Sequence, residues 1–229
     1  MKPLPFLSDA EVAAAIPQVV KHLGEGGLLA YPTETVYGLG SRAVQPDVAA
    51  LAAMKGRAAS KPFLLLISDR SMAEAHGLAF NASADALARA FWPGPLTLVL
   101  PGGSGRLPDL LRGPDGGIAV RWTSHQAIAK LVAALGGPLT STSANLPGQP
   151  PGPGAAAITR DFAGPVEKGT LLVLDGGVLG NRPPSTVVDC TRPRPQIVRE
   201  GTLSVHELRR AVGRQGSRSH HRRSHSVHC

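Results

Sequence analysis

The stretch "GIAVRWTSHQAIAKLVAALGGPLTSTSAN", residues 117–145, holds three readings in a row. "GIAVRW" is a short apolar run interrupted by one arginine, which predicts a strand. "HQAIAKLVAALG" reads as a helix. "PLTSTS" predicts a second strand, and it ends in a run of hydroxyl and amide side chains. Strand, helix and strand in so short a span call for an α/β chain, and the remaining sequence keeps up the exchange.

Toward the N-terminus, Ser8 with Glu11 three residues on forms a capping box. Val12, Ile16, Val19, Val20 and Leu23 follow at helical spacing. Pro17 interrupts that pattern, so a kink or two shorter pieces are expected, and Gly24, Gly26 and Gly27 end it. "LLAY" then reads as a buried strand leading into "PTET". "DVAALAAMKG" and "ADALARAFW" predict helices, while "FLLLIS" and "LTLVLP" predict strands. Beyond the quoted stretch come strands at "LLVLD", "STVVDC" and "QIVRE" and a closing helix at "SVHELRRAV". Several strands follow one another without a helix long enough for a crossover, so the sheet is mixed. No repeat and no second-domain boundary occurs before about residue 212. The expected organisation is one domain over 1–212 and a disordered Arg/His/Ser-rich tail over 213–229. Two loops, Pro101 to Gly117 and "NLPGQPPGPG" from residue 145 to 154, are long for a compact domain. Each reads either as a surface connection or as a lid over a site.

Of 229 residues, 42% are hydrophobic, enough for a sizeable core. No apolar run reaches the roughly 20 residues that span a bilayer, and the N-terminus carries no stretch of signal-peptide length. With two cysteines, Cys190 in a strand and Cys229 at the end, neither a disulfide framework nor a metal site is indicated, and a reducing cytoplasm is expected. The net charge of +8 falls to about +4 without the tail, a surplus that still favours anionic partners.

The signatures of phosphate loops, of zinc hydrolases and of paired CxxC metal sites are absent. Three short segments are unusually polar instead: "YPTETVYG" (31–38), "TSTSAN" (140–145) and "RPPSTVVD" (182–189). Singly, each is ordinary turn and capping chemistry. Together they place donors and acceptors at several strand ends, where open α/β sheets bind ligands. Arg121 within "GIAVRW" and Arg199 at the close of "QIVRE" offer planar forks for phosphate or carboxylate if they point inward, and plain solvated edges if they do not. "MKGRAASKP" (54–62) crowds Lys55, Arg57 and Lys61 into seven positions, which reads as a cationic helix end or as a clamp for a polyanion.

"GGLLAYPTETVYGLG", "KGR" followed by "KP", "FWPGPLTLVLPG", "STSANLPG", "PSTVVD" and "REG" stand in the order of the YrdC-like family, over about residues 9 to 212. The chain resembles the bacterial single-domain form, its tail being too short and polar for the second domain of longer relatives. The resemblance implies a twisted open α/β sheet around a concave, positively charged cavity. It also implies synthesis of L-threonylcarbamoyl-adenylate from L-threonine, bicarbonate and ATP with Mg²⁺, releasing pyrophosphate. A transient tRNA threonylcarbamoyltransferase complex would then carry the group to the adenosine beside the anticodon. By the same resemblance Lys55, Arg57, Ser143 and Asn145 are catalytic. Lys55, Arg57 and Lys61 meet the phosphates of ATP, and Ser141 and Arg199 its nucleotide; Thr33, Arg121, Ser143 and Ser185 meet threonine; Tyr37 belongs to the first motif.

A carbamate attacking a polyphosphate needs charge neutralisation and in-line placement more than a covalent nucleophile. No general base stands out, and a structural or metal-water role suits Glu34 better. Four departures touch the threonine and ribose pockets: Ala58 stands for a proline, Trp122-Thr123 for a "VP" pair, "LPG" for "LSG", and Pro151 for a serine. A non-catalytic RNA-binding module of the same fold is a rival, but aromatic residues for base stacking make up only 4% of the chain. Carbamoyl-adenylate chemistry of the hydrogenase-maturation kind is another, although it goes with zinc-binding cysteine motifs that two isolated cysteines do not make.

Overall fold

The computed structural model describes residues 2–56, 62–180 and 183–219, the last six of these by backbone alone. Its elements are β1 (Leu4–Pro5), α1 (Asp9–Gly24), β2 (Leu28–Tyr31), β3 (Gly38–Gly40), α2 (Gln45–Lys55), β4 (Leu64–Ile67), α3 (Arg70–Ala75), α4 (Ala82–Phe91) and β5 (Leu96–Leu100), then β6 (Ile118–Trp122), α5 (Gln126–Leu135), β7 (Leu139–Ser143), α6 (Ala155–Asp161), α7 (Ala163–Glu167), β8 (Leu171–Asp175), β9 (Thr186–Asp189), β10 (Gln196–Arg199) and α8 (Val205–Ser219). The strands form a single sheet in the order β1-β8-β2-β3-β7-β4-β6-β5-β9-β10.

The sheet is mixed, as strand succession predicts. Pairings β1/β8, β2/β8, β4/β6 and β5/β9 are parallel and the others antiparallel. The β6–α5–β7 unit is not a parallel crossover, because β4 lies between its strands and β7 runs antiparallel to β4.

Strand alternation sorts the apolar side chains into two layers. On one face Leu29, Tyr31, Leu66, Leu139, Leu172 and Leu174 pack with α1 and α5, through Val12, Val19, Leu23, Ile128, Leu131 and Val132. On the other, Leu28, Ala30, Leu65, Ile67, Leu98, Val120 and Val188 meet residues of α2, α4, α6, α7 and α8. No residue of β6, β5, β9 or β10 belongs to the first cluster. The helices α1 and α5 therefore cover their face only as far as β4.

Ser8 caps α1 as its spacing foretells, accepting from Glu11 N while the Glu11 carboxylate takes the Ser8 N–H. Pro17 does not divide this helix: it lies on the exposed side, where the carbonyl left without its N–H partner is not sealed in the core. The loop from Pro101 to Gly117 is not a free lid. A short 3₁₀ turn at Asp109–Leu111 sits in it, Leu107 and Leu111 are buried in the core, and Arg112 Nη1 donates to Gly102 O at 2.7 Å. Burying two leucines anchors such a loop more firmly than its composition implies. The closing helix runs from Val205 through Ser219. Residues 220–229 of the tail lie outside the described residues.

The short strand β3 has its own steric logic. A Cβ on Gly40 would meet Thr140 O at 2.1 Å, so the backbones approach too closely for any side chain. Gly40→Ala is expected to lower stability by about 2 kcal/mol or more, read from urea unfolding, because a backbone carbonyl cannot step aside cheaply. A variant as stable as the wild type would show that the two strands can move apart.

Candidate functional site

Beyond β4, the uncovered sheet face floors a cavity of about 350 Å³. Its lining follows the alternation. Ile118 and Val120 of β6 point to the core, so Ala119 and Arg121 point into the cavity; Leu96 and Leu98 do the same for Thr97. The arginine that interrupts "GIAVRW" is thus an inward residue, only 4% exposed, and not a solvated edge. The cavity spreads over the middle of the strands as well as their ends, a wider floor than strand-end motifs imply.

Each polar segment supplies a wall. In "PTET", Thr33 Oγ1 donates to Val36 O at 2.5 Å and accepts from the N–H groups of Thr35 and Val36. This hydroxyl-closed turn presents Thr33, Thr35 and Tyr37 to the cavity. Tyr37 is fully buried; its hydroxyl donates to Gly177 O at 2.8 Å and accepts from Gly176 N at 2.9 Å. Burial raises its pKa, with the Gly176 N–H opposing, so it stays a phenol. Opposite, Ser185 Oγ and Thr97 Oγ1 lie 2.9 Å apart, and Arg199 Nη2 donates to Ser185 O at 2.9 Å. Ser141 and Ser143 line the side toward β7.

Of the residues singled out from sequence, the cavity gathers Thr33, Tyr37, Arg121, Ser141, Ser143, Ser185 and Arg199. Lys55 and Asn145 stand one step behind. Lys55 Nζ, on a side chain 8% exposed at the end of α2, donates to Ser143 O at 3.0 Å, to Asn145 O, and to Asn145 Oδ1 at 3.2 Å. Ser143 Oγ in turn donates to Asn145 Oδ1. The "KGR" lysine therefore secures the turn that follows β7. Arg57 and Lys61 lie outside the described residues.

Thr97, missed by the sequence reading, had a signal of the same kind as Arg121: one polar residue at an inward position of the apolar run "LTLVL". Glu34 makes the densest network. Its Oε1 accepts from Thr123 Oγ1 at 2.7 Å, Ser124 N at 2.6 Å, Ser124 Oγ at 3.0 Å and His125 N at 3.1 Å, while Oε2 lies 2.9 Å from Arg121 Nη2. That last pair meets off the N–H axis, so it is charge on charge and not an aligned hydrogen bond. Arg121 Nε donates to Gly94 O at 3.0 Å. Burial alone would raise the Glu34 carboxyl, but Arg121 and the donated hydrogen bonds hold it below the ordinary glutamate value. Burial lowers the Arg121 pKa, Glu34 offsets this, and neighbouring Arg199 adds to it; a guanidinium remains charged nonetheless. Cys190 is buried and its thiol is pushed up to about 12, which removes it as a nucleophile at neutral pH.

No group of three His, Cys, Asp or Glu side chains among the described residues could hold a metal ion. Both oxygens of Glu34 are already engaged, and among the described residues no carboxylate lines the cavity. No helix among the described residues is long and apolar enough to cross a membrane.

A half-covered mixed sheet whose bare face carries two arginines and a ring of hydroxyls defines an α/β domain for small, anionic, hydrogen-bonding ligands. Residues 21–201 match the model of the Sua5/YciO/YrdC family, described as "Telomere recombination", and the chain belongs to that family. It is 42% identical over 187 residues to the threonylcarbamoyl-AMP synthase of Chromohalobacter salexigens, covering 78% of this chain and 94% of the relative. It is 37% identical over 190 residues to that of Pyrococcus abyssi, covering 82% of this chain but 54% of the relative, so it spans about half the length of that protein. Among solved structures, P. abyssi Sua5 complexed with L-threonine superposes with a TM-score of 0.83 at 33% identity, over 93% of this chain and 61% of that one.

Because the folded Glu34 pKa is depressed, its contribution to stability is complete above the ordinary value of 4.5 and is lost as pH falls through the lower native value. The stability difference between wild type and Glu34→Gln, measured by denaturant unfolding, should therefore shrink steadily from pH 5 downward. A difference that grows with acidity would reverse the sign of this charge's role.

Proposed function

We propose that this chain is an L-threonylcarbamoyladenylate synthase. The observation that carries the reading is a cavity lined by buried Arg121 and by Arg199 of the exposed strand β10, together with the hydroxyls of Thr33, Ser141, Ser143 and Ser185. The names of its relatives and the L-threonine held by the P. abyssi protein support the choice of substrate.

In this reading the threonine amine and bicarbonate condense to a carbamate and water. A carbamate oxygen then attacks the α-phosphorus of ATP, and pyrophosphate leaves. Arg121 receives the threonine carboxylate, with Thr33 and Ser185 disposing the rest of the amino acid. Arg199 and Ser141 face the nucleotide, with Arg57 and Lys61 completing the cationic side. Lys55 and Asn145 act by fixing Ser143. Two anions must be brought together for attack, so fixed cations in a confined cavity supply most of the help. Mg²⁺ would arrive on the phosphates of ATP and neutralise part of their charge. The adenylate would pass in the cytoplasm to a tRNA threonylcarbamoyltransferase complex, with at most weak contact between this chain and RNA.

Pyrophosphate release from ATP and Mg²⁺, with L-threonine and bicarbonate omitted in turn, tests the reading. Release is expected only with both present. Arg57→Ala and Arg199→Ala should each raise the barrier by roughly 2–4 kcal/mol, the scale of losing a donor to developing charge. Release independent of threonine, or none from folded protein, would sink the proposal.

A further inference from the structure

Glu34 does not line the cavity, yet it touches the one cavity residue best suited to a carboxylate. We propose that Glu34 is a positioning residue: from behind the wall it fixes the Arg121 guanidinium in the pose that receives the carboxylate of an α-amino acid. The inference rests on the reading of Arg121 given under the proposed function.

Two fixed points define the guanidinium. Gly94 O holds Nε at 3.0 Å and Glu34 Oε2 holds Nη2 at 2.9 Å. Glu34 is itself immobilised, since its other oxygen takes four donors from Thr123, Ser124 and His125. Those donors lie at the entrance to α5, whose cap is His125. The carboxylate is thus anchored to a helix start and cannot follow the arginine if the arginine moves. Arg199 supplies the reason for an anchor: it faces the same cavity and opposes the charge of Arg121. Without Glu34, the Gly94 carbonyl would be the one remaining anchor of the two named here, and a ligand would have to order the far end of the Arg121 guanidinium at its own expense.

A pure field effect predicts the opposite sign. Removing a negative charge makes the cavity more positive, which by itself strengthens binding of an anionic group. Positioning predicts weaker binding, so the sign of the change decides between the two.

Calorimetric titration of the full chain with L-threonine, in wild type, Glu34→Gln, Arg121→Gln and the double variant, reads this directly. Glu34→Gln is expected to weaken L-threonine binding by at least about tenfold while ATP binding stays within about twofold. On the Arg121→Gln background the same change should add less than about twofold, because a residue acting through another has nothing left to act on. Equal or tighter L-threonine binding by Glu34→Gln, beside a loss in Arg121→Gln, overturns the inference alone. The same loss in both backgrounds also overturns it, since it marks a merely structural residue. Wild type that takes up no L-threonine, or Arg121→Gln that binds it normally, overturns the underlying reading and the inference with it. If thermal melts show that Glu34→Gln does not fold, Glu34→Asp replaces it, keeping the charge but drawing it back by one methylene. A loss of about three- to tenfold is then expected, and unchanged binding overturns the inference.

Discussion

Two helices cover one face of a ten-stranded sheet only as far as β4, and the cavity follows from that shortfall. Where α1 and α5 lie, the buried strand side chains turned toward them are leucines and a tyrosine. Where they stop, the same alternation brings Ala119, Arg121, Thr97 and Val187 to the surface of the sheet. The opposite face of these strands stays apolar because α4 and α8 still pack against it. One strand therefore serves a dry core and a wet cavity at once, with successive residues assigned to each. A polar substitution at Val120 would be a burial problem, whereas at Ala119, one residue away, it would be a change of ligand chemistry.

Charge within the cavity is arranged by rank. Arg121 is buried, paired and pinned; Arg199 is held to Ser185 at the outer strand β10. Buried cations need compensation, and Glu34 supplies it without projecting a carboxylate into the ligand space. The same economy appears at Lys55, whose ammonium organises a turn through two carbonyls and an amide oxygen. Groups that look alike in composition thus divide into those that face the cavity and those that hold the facing groups in place.

Most elements were legible in the sequence because their patterns are strong: the capping box at Ser8 and the apolar strands. The strand "GLG" of β3 was not, since it has almost no side chains to pattern and exists through close backbone approach. Helices α3, α6 and α7, of five to seven residues, are too short to show a period. Residues of all three hydroxyl-rich segments line the one cavity, as motif position tracks strand ends. Thr97 and the Glu34 network escaped because they depend on which strands become neighbours, and no local pattern states that β5 lies between β6 and β9.

That long-range neighbourhood also sets a schedule. Strand β8 inserts between β1 and β2, pairing Leu4 with Leu174 and Leu29 with Leu172. A chain leaving the ribosome N-terminus first thus exposes α1 and its two flanking strands long before their shared partner is made. Parallel pairings across such a separation close late and slowly. Tyr31 waits likewise for Thr140, and Tyr37 for the glycines after β8. The amino-terminal third, which bears the first motif, would reach its native form only after most of the polypeptide has been synthesised.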